Sequence, residues 1–133
     1  MEARDVEGAG GERRRVLVVE DSPDVREMIG IVLTGSGYEV TTAVHGGDAL
    51  DVVTRWRPDV IVLDWSMPVM GGAEFARRYH QLPAPHAPIL MLTAEADGAQ
   101  RAAEIAAAGF LGKPFHLPAL IRLVGTTGAD AVS

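Results

Sequence analysis

Apolar and polar positions follow two alternating rhythms along the chain. Short, mostly apolar runs stand at 16–19 (VLVV), 38–43 (YEVTTA), 60–63 (VIVL), 88–92 (PILML) and 109–112 (GFLG). Runs of this kind predict strands covered on both faces, as in a parallel sheet. Between them the spacing turns helical. Val25, Met28, Ile29, Val32 and Leu33 share one face of a helix that Ser22-Pro23 opens and Gly35 or Gly37 ends. A second helix is predicted over 47–56, with Ala49, Leu50, Val53 and Trp56 inward, and Pro58 blocks its continuation. A third covers 72–80 with Phe75, Ala76 and Tyr79 inward, and a fourth, rich in alanine, covers 97–107. In a short fifth helix Leu117, Leu120, Ile121 and Val124 share a face, and Gly125 ends it. Strand and helix thus alternate five times. That order predicts an α/β fold: a three-layer (βα)5 sandwich with right-handed crossovers around a parallel five-stranded sheet of order 2-1-3-4-5.

Size and composition narrow the picture. The 133 residues fit one domain, read as 14–125, with a tail at 1–13 and a frayed end at 126–133. The opening MEARDVEGAGGERRR has no apolar core of a signal peptide, and no apolar run approaches the roughly 18 residues of a membrane span. Arg13 to Arg15 read as a solvated flank ahead of the first strand. Cysteine is absent, which excludes disulfides and thiolate metal sites. A cytoplasmic location is expected, with no membrane partner. The net charge of −6 argues against non-specific DNA binding by the domain.

Charge matters most at the predicted carboxyl ends of the strands, where such sheets bind ligands. The first strand runs into Glu20-Asp21, the third into Asp64, the fourth into Thr93 and the fifth into Lys113-Pro114. Taken singly, the acidic pair could serve a helix N-terminus and Thr93 could cap a helix. Their coincidence at one rim argues for a shared site. Converging carboxylates raise one another's pKa, and a hard divalent cation such as Mg²⁺ relieves the conflict through oxygen ligands. Acids, an ammonium and a hydroxyl together describe phosphoryl transfer, with a carboxylate as nucleophile.

The segments VLVVEDSPDVREMI, PDVIVLDWSMPVMGG, PILMLTA and FLGKPF resemble the response-regulator receiver domains of two-component signalling, over about residues 15–124. The resemblance implies the (βα)5 receiver fold, which is flavodoxin-like. It implies that Asp64 is the phosphoacceptor, taking its phosphoryl group from a histidine kinase or a histidine phosphotransfer protein. Glu20, Asp21, Asp64 and the backbone carbonyl of Ser66 would hold Mg²⁺, with Mn²⁺ as a substitute. Lys113 and Thr93 would bind the phosphoryl group. Thr93 and Phe110 would form the switch, altering the surface of helix 4, strand 5 and helix 5. Pro114 would follow a cis peptide bond. The chain would be no enzyme beyond its own phosphorylation and dephosphorylation.

Several positions depart from the family pattern. Phe110 lacks a tyrosine hydroxyl, and Ala106 stands where a glycine often ends the fourth helix. The fifth helix carries few charges, so a monomer is favoured over a salt-bridged dimer. The histidines 45, 80, 86 and 116 lack metal-ligand spacing. With no linker after residue 125, a stand-alone regulator or a piece of a longer chain is expected, acting on an unknown downstream protein and not on DNA directly. Two enzyme or binder readings rank lower. A haloacid-dehalogenase-like phosphatase wants a second acid where Ser66 stands, and a flavodoxin-like cofactor site would not place Glu20-Asp21 against phosphate. A receiver-fold docking module that no longer takes phosphate is the remaining alternative.

Overall fold

The computed structural model describes residues 13–65, 67, 69–94 and 98–127. The expected tails lie outside these residues except for Arg13, Thr126 and Thr127. Five strands and five helices alternate: β1 (Arg15–Val19), α1 (Pro23–Gly35), β2 (Glu39–Ala43), α2 (Gly46–Arg55), β3 (Val60–Asp64), α3 (Gly72–Gln81), β4 (Ile89–Thr93), α4 (Gly98–Glu104), β5 (Gly109–Gly112) and α5 (Leu117–Thr126). All strand pairs are parallel, and the sheet order is β2-β1-β3-β4-β5, as expected. Among the described residues no helix is long and apolar enough to cross a membrane.

The unbroken apolar runs have a direct physical cause. Successive side chains of a strand point to opposite faces. Val16, Val18, Val60, Val62, Leu90 and Leu92 meet Ile29 and Leu33 of α1 and Leu120 and Val124 of α5 on one face. Leu17, Val19, Ile61, Leu63, Ile89 and Met91 meet α2, α3 and α4 on the other, where Val52, Phe75, Tyr79, Ala102 and Ile105 are buried. Both faces are dry, so a strand with polar alternation would leave one face of the sheet unable to pack.

Local signals set most helix boundaries. The Ser22 hydroxyl accepts a hydrogen bond from the Val25 amide at 3.4 Å, and Pro23 occupies the first turn of α1. His45 caps α2 with Nδ1, which accepts from the Asp48 amide at 3.1 Å. Met28, placed inward by its spacing, is instead 40% exposed, because the buried stripe of α1 narrows to Ile29 and Leu33. In α2 the spacing missed Val52, which is buried, while Leu50 and Val53 pack at the core's margin. Arg14 and Arg15 are not a solvated flank. The Arg14 guanidinium donates to the carbonyls of Gly125 and Thr127, tying the end of α5 to β1. Arg15 lies over the Trp56 ring at 5.4 Å and pairs with Glu39. His80 and His86, distant in spacing, stack edge-on with ring centroids 5.4 Å apart beside Tyr79.

The largest departure is α4. The sequence pattern predicts 97–107, and the observed helix ends at Glu104. Ala106 then takes φ +55°, the left-handed conformation that glycine adopts without steric penalty. Ala106→Gly should therefore stabilise the fold by ~0.5–1 kcal/mol, less the added entropy of the unfolded glycine. Urea unfolding of the two proteins measures this, and a variant less stable than the parent would contradict the strain assigned to Ala106.

Candidate functional site

Because every strand points the same way, the polar residues that end them meet on one rim. Val19 pairs with Leu63, so the next residue, Glu20, falls beside Asp64. Thr93 pairs with Gly112, so Lys113 follows immediately at the same end, its amide donating to the Thr93 carbonyl at 2.7 Å. The Lys113 ammonium then reaches back across β4. Its Nζ donates to Asp64 Oδ1 at 2.9 Å and lies 3.5 Å from Glu20 Oε1. The Trp65 amide donates to the Leu92 carbonyl at 2.8 Å, which continues the β3–β4 ladder past Asp64.

Glu20, Asp64 and Thr93 are buried, the acids at 1% and 3% exposure. Asp21 is half-buried at the mouth. Glu20 Oε2 accepts from the Ser22 amide at 3.2 Å, which fixes the carboxylate against the turn into α1. Arg26 of α1 turns back over this loop, its Nη1 donating to the Glu20 carbonyl at 3.0 Å and to the Asp21 carbonyl at 3.4 Å. The spacing had given Arg26 no role, and only the closeness of α1's first turn to the acidic pair signals one. Carboxylate oxygens of Glu20, Asp21 and Asp64 all lie within 4.8 Å of one another.

This charge balance explains the acid–base behaviour. Burial pushes the Asp64 carboxyl up to about 7; the Lys113 hydrogen bond opposes it, and the neighbouring Glu20 charge adds to the rise. Burial works against the Lys113 ammonium, but Asp64 and Glu20 outweigh it and raise its pKa. Burial thus lifts the Asp64 carboxyl while its acidic neighbours lift the Lys113 ammonium, and three carboxylates gather beside that one ammonium. The residues therefore fit a divalent cation. Glu20 Oε1 is buried with no hydrogen-bond partner, an oxygen left available to an ion or its water, and the donor set is all oxygen, as Mg²⁺ prefers.

The remaining expected site residues fall as follows. Thr93 is the last residue of β4 and is buried at the rim. Phe110 on β5 is 40% exposed, with its ring against Gly98. The Lys113–Pro114 peptide is cis. Ser66 lies outside the described residues. Two contacts had no sequence signal. Arg101 of α4 lies over the Trp65 ring at 5.6 Å, next to Asp64, and Met70 fills the space that a side chain at Gly46 would occupy.

The family model of the response regulator receiver domain matches residues 16–125. The chain belongs to that family. It is 36% identical over 132 residues to the probable transcriptional regulatory protein TcrX of Mycobacterium tuberculosis, covering 92% of this chain and 56% of TcrX. It is 34% identical to the phosphate regulon transcriptional regulatory protein PhoB of Pseudomonas aeruginosa, over 89% of this chain and 56% of PhoB. The solved structure of the chemotaxis protein CheY4 of Vibrio cholerae matches with a TM-score of 0.80 at 38% identity, over 87% of this chain and 99% of that one. Receiver domains are signalling modules of two-component systems, not conventional enzymes, and in general use Mg²⁺.

The comparisons correct the partner expectation. The chain spans about half the length of the curated relatives it matches. One of them, 36% identical over 84% of this chain, is the DNA-binding response regulator MtrA of Mycolicibacterium smegmatis. Net charge bears only on the surface of the domain that carries it. It cannot exclude DNA as a partner where a relative of about twice the length is named as DNA-binding.

With divalent ions chelated, the fold should favour neutral Asp64. Its folded pKa of about 7 lies above the ordinary 3.8, so the stabilisation is present below pH 3.8 and is lost as pH rises through about 7. Relative to Asp64→Asn, the parent should lose on the order of 1–4 kcal/mol across that window. Urea unfolding at pH 5 and pH 8 in chelator checks this, and parallel behaviour of the two proteins would contradict the raised pKa assigned to Asp64.

Proposed function

We propose that Asp64 is the phosphoacceptor, receiving a phosphoryl group from a phosphohistidine on a kinase or phosphotransfer protein. The observation that carries this reading is the Lys113 ammonium 2.9 Å from Asp64 Oδ1, at a rim where three carboxylates converge. In the transfer an Asp64 oxygen attacks phosphorus as the P–N bond to the donor imidazole breaks. The bonding pair stays with the ring, which takes up a proton. Lys113 holds a phosphoryl oxygen and meets the charge that develops on it. Glu20, Asp21 and Asp64 would hold Mg²⁺ or Mn²⁺, with the Ser66 carbonyl as a further ligand in the proposal. Such a cation supplies charge neutralisation and keeps Asp64 ionised as a nucleophile.

The domain also hydrolyses its own acyl phosphate, which resets it. The phosphoryl group adds nearly two negative charges and new acceptors. In this reading the Thr93 hydroxyl turns to donate to it, and Phe110 follows. The surface of α4, β5 and α5 then changes, a bias on an existing equilibrium. The names of the relatives point to control of transcription as the process served. The exchange belongs in the cytoplasm, where the ATP that charges such kinases is held.

Incubation with acetyl phosphate and Mg²⁺, followed by intact mass, tests the assignment. One added phosphoryl group is expected, absent with chelator and absent in Asp64→Ala. Lys113→Ala should slow labelling by roughly 10- to 100-fold, given the worth of one aimed charge in phosphoryl transfer. Labelling that persists in Asp64→Ala would move the acceptor elsewhere.

A further inference from the structure

Gly98 opens α4, and the ring of Phe110 rests against it. A Cβ at residue 98 would stand 2.9 Å and 3.0 Å from Phe110 Cε2 and Cδ2, and 3.1 Å from Thr93 Cγ2. A side chain at residue 98 would therefore crowd both this ring and this methyl. The backbone there is ordinary, since Gly98 is not among the residues with positive φ. Glycine is thus not required by conformation at this position, and in a first helical turn it is a poorer choice than alanine. Packing is the remaining reason for it. Phe110 lies across from Met91 and Gly112 across from Thr93, so the ring and the threonine come from adjacent strands and both lie against Gly98 of α4.

We infer that Gly98 is the seat of the resting packing, a positioning residue that holds Phe110 beside Thr93 while Asp64 is unphosphorylated. This rests on Asp64 as the phosphoacceptor and on Thr93 and Phe110 as the groups that move. If Thr93 turns toward a phosphoryl group and the ring follows it, the ring leaves Gly98. A methyl group at residue 98 then penalises the resting packing and not the other. The population of the receptive state rises, and with it the apparent affinity for anything that selects that state.

The probe is beryllium fluoride with Mg²⁺, a phosphoryl mimic, titrated into the whole chain and followed by the emission of Trp65 beside the site. Gly98→Ala should bind it about 3- to 10-fold tighter than the parent, the change expected when a minor receptive state becomes a substantial one. In a Phe110→Ala background, where no ring meets the methyl, the same substitution should have no effect. The methyl resonance of Thr93 gives a second measure: without ligand, it should shift in Gly98→Ala toward its beryllium fluoride-bound position. Unchanged or weaker binding by Gly98→Ala overturns the inference, and so does an effect that survives in Phe110→Ala. Failure of the underlying reading is distinct: neither the parent nor the variant would respond, and acetyl phosphate would label Asp64→Ala as it labels the parent.

Discussion

Negative charge in excess at a buried rim governs this molecule. Glu20 and Asp64 are buried and pair with the Lys113 ammonium, and Asp21 stands beside them. Ionised carboxylates in such a place are expensive unless paired and hydrogen-bonded. The ion pair with Lys113 and the bond from the Ser22 amide answer part of that demand. Burial, with the Glu20 charge added to it, still raises the pKa of Asp64, and Glu20 Oε1 is left without a hydrogen-bond donor. The uncompensated charge favours a cation at this rim, and in the proposed reading that cation is what lets an anionic phosphoryl group approach. A rim with balanced charge would be more comfortable and would have no reason to react.

The sheet is what makes this arrangement unavoidable. Parallel strands place all their carboxyl ends together, and two dry faces force the strands to be apolar up to their last residue. The first polar residue after each run is therefore delivered to the rim. Register does the rest: Val19 opposite Leu63 sets Glu20 beside Asp64, and Thr93 opposite Gly112 sets Lys113 within reach. A shift of one residue in either ladder would turn these side chains into the helices and dissolve the site. Packing of Phe75, Ile29 and Leu120 far from the chemistry thus holds the distance between Lys113 and Asp64.

Much of this was legible in the residues. The apolar runs bounded by Glu20-Asp21, Asp64, Thr93 and Lys113 carried the fold class, the strand order and the membership of the rim, because burial on both faces leaves a strong local trace. The side-chain partners left none. Arg14 capping the end of α5, Arg26 on the acidic loop and Arg101 over Trp65 depend on which surfaces meet, and long arginines look alike in a pattern of charges. The length of α4 failed for a related reason. A run of alanines satisfies helix propensity at every position, yet propensity does not say where packing against β5 stops rewarding another turn.

That failure is itself informative about the switch. The seven residues described in α4 are too few to persist alone and hold their form through their neighbours. Those neighbours are Phe110 at Gly98, Trp65 at Arg101 and the core at Ala102. Two of the three contacts reach residues at or next to the charged rim, and Ala106 closes the helix in a conformation that favours glycine. The element most easily displaced is therefore the one wired to the site. In the proposed switch, a small movement of Thr93 needs only to disturb the crowding at Gly98 to change the balance of packings, whereas the same movement against α3, anchored by Phe75 and Tyr79 in the core, would be absorbed without effect.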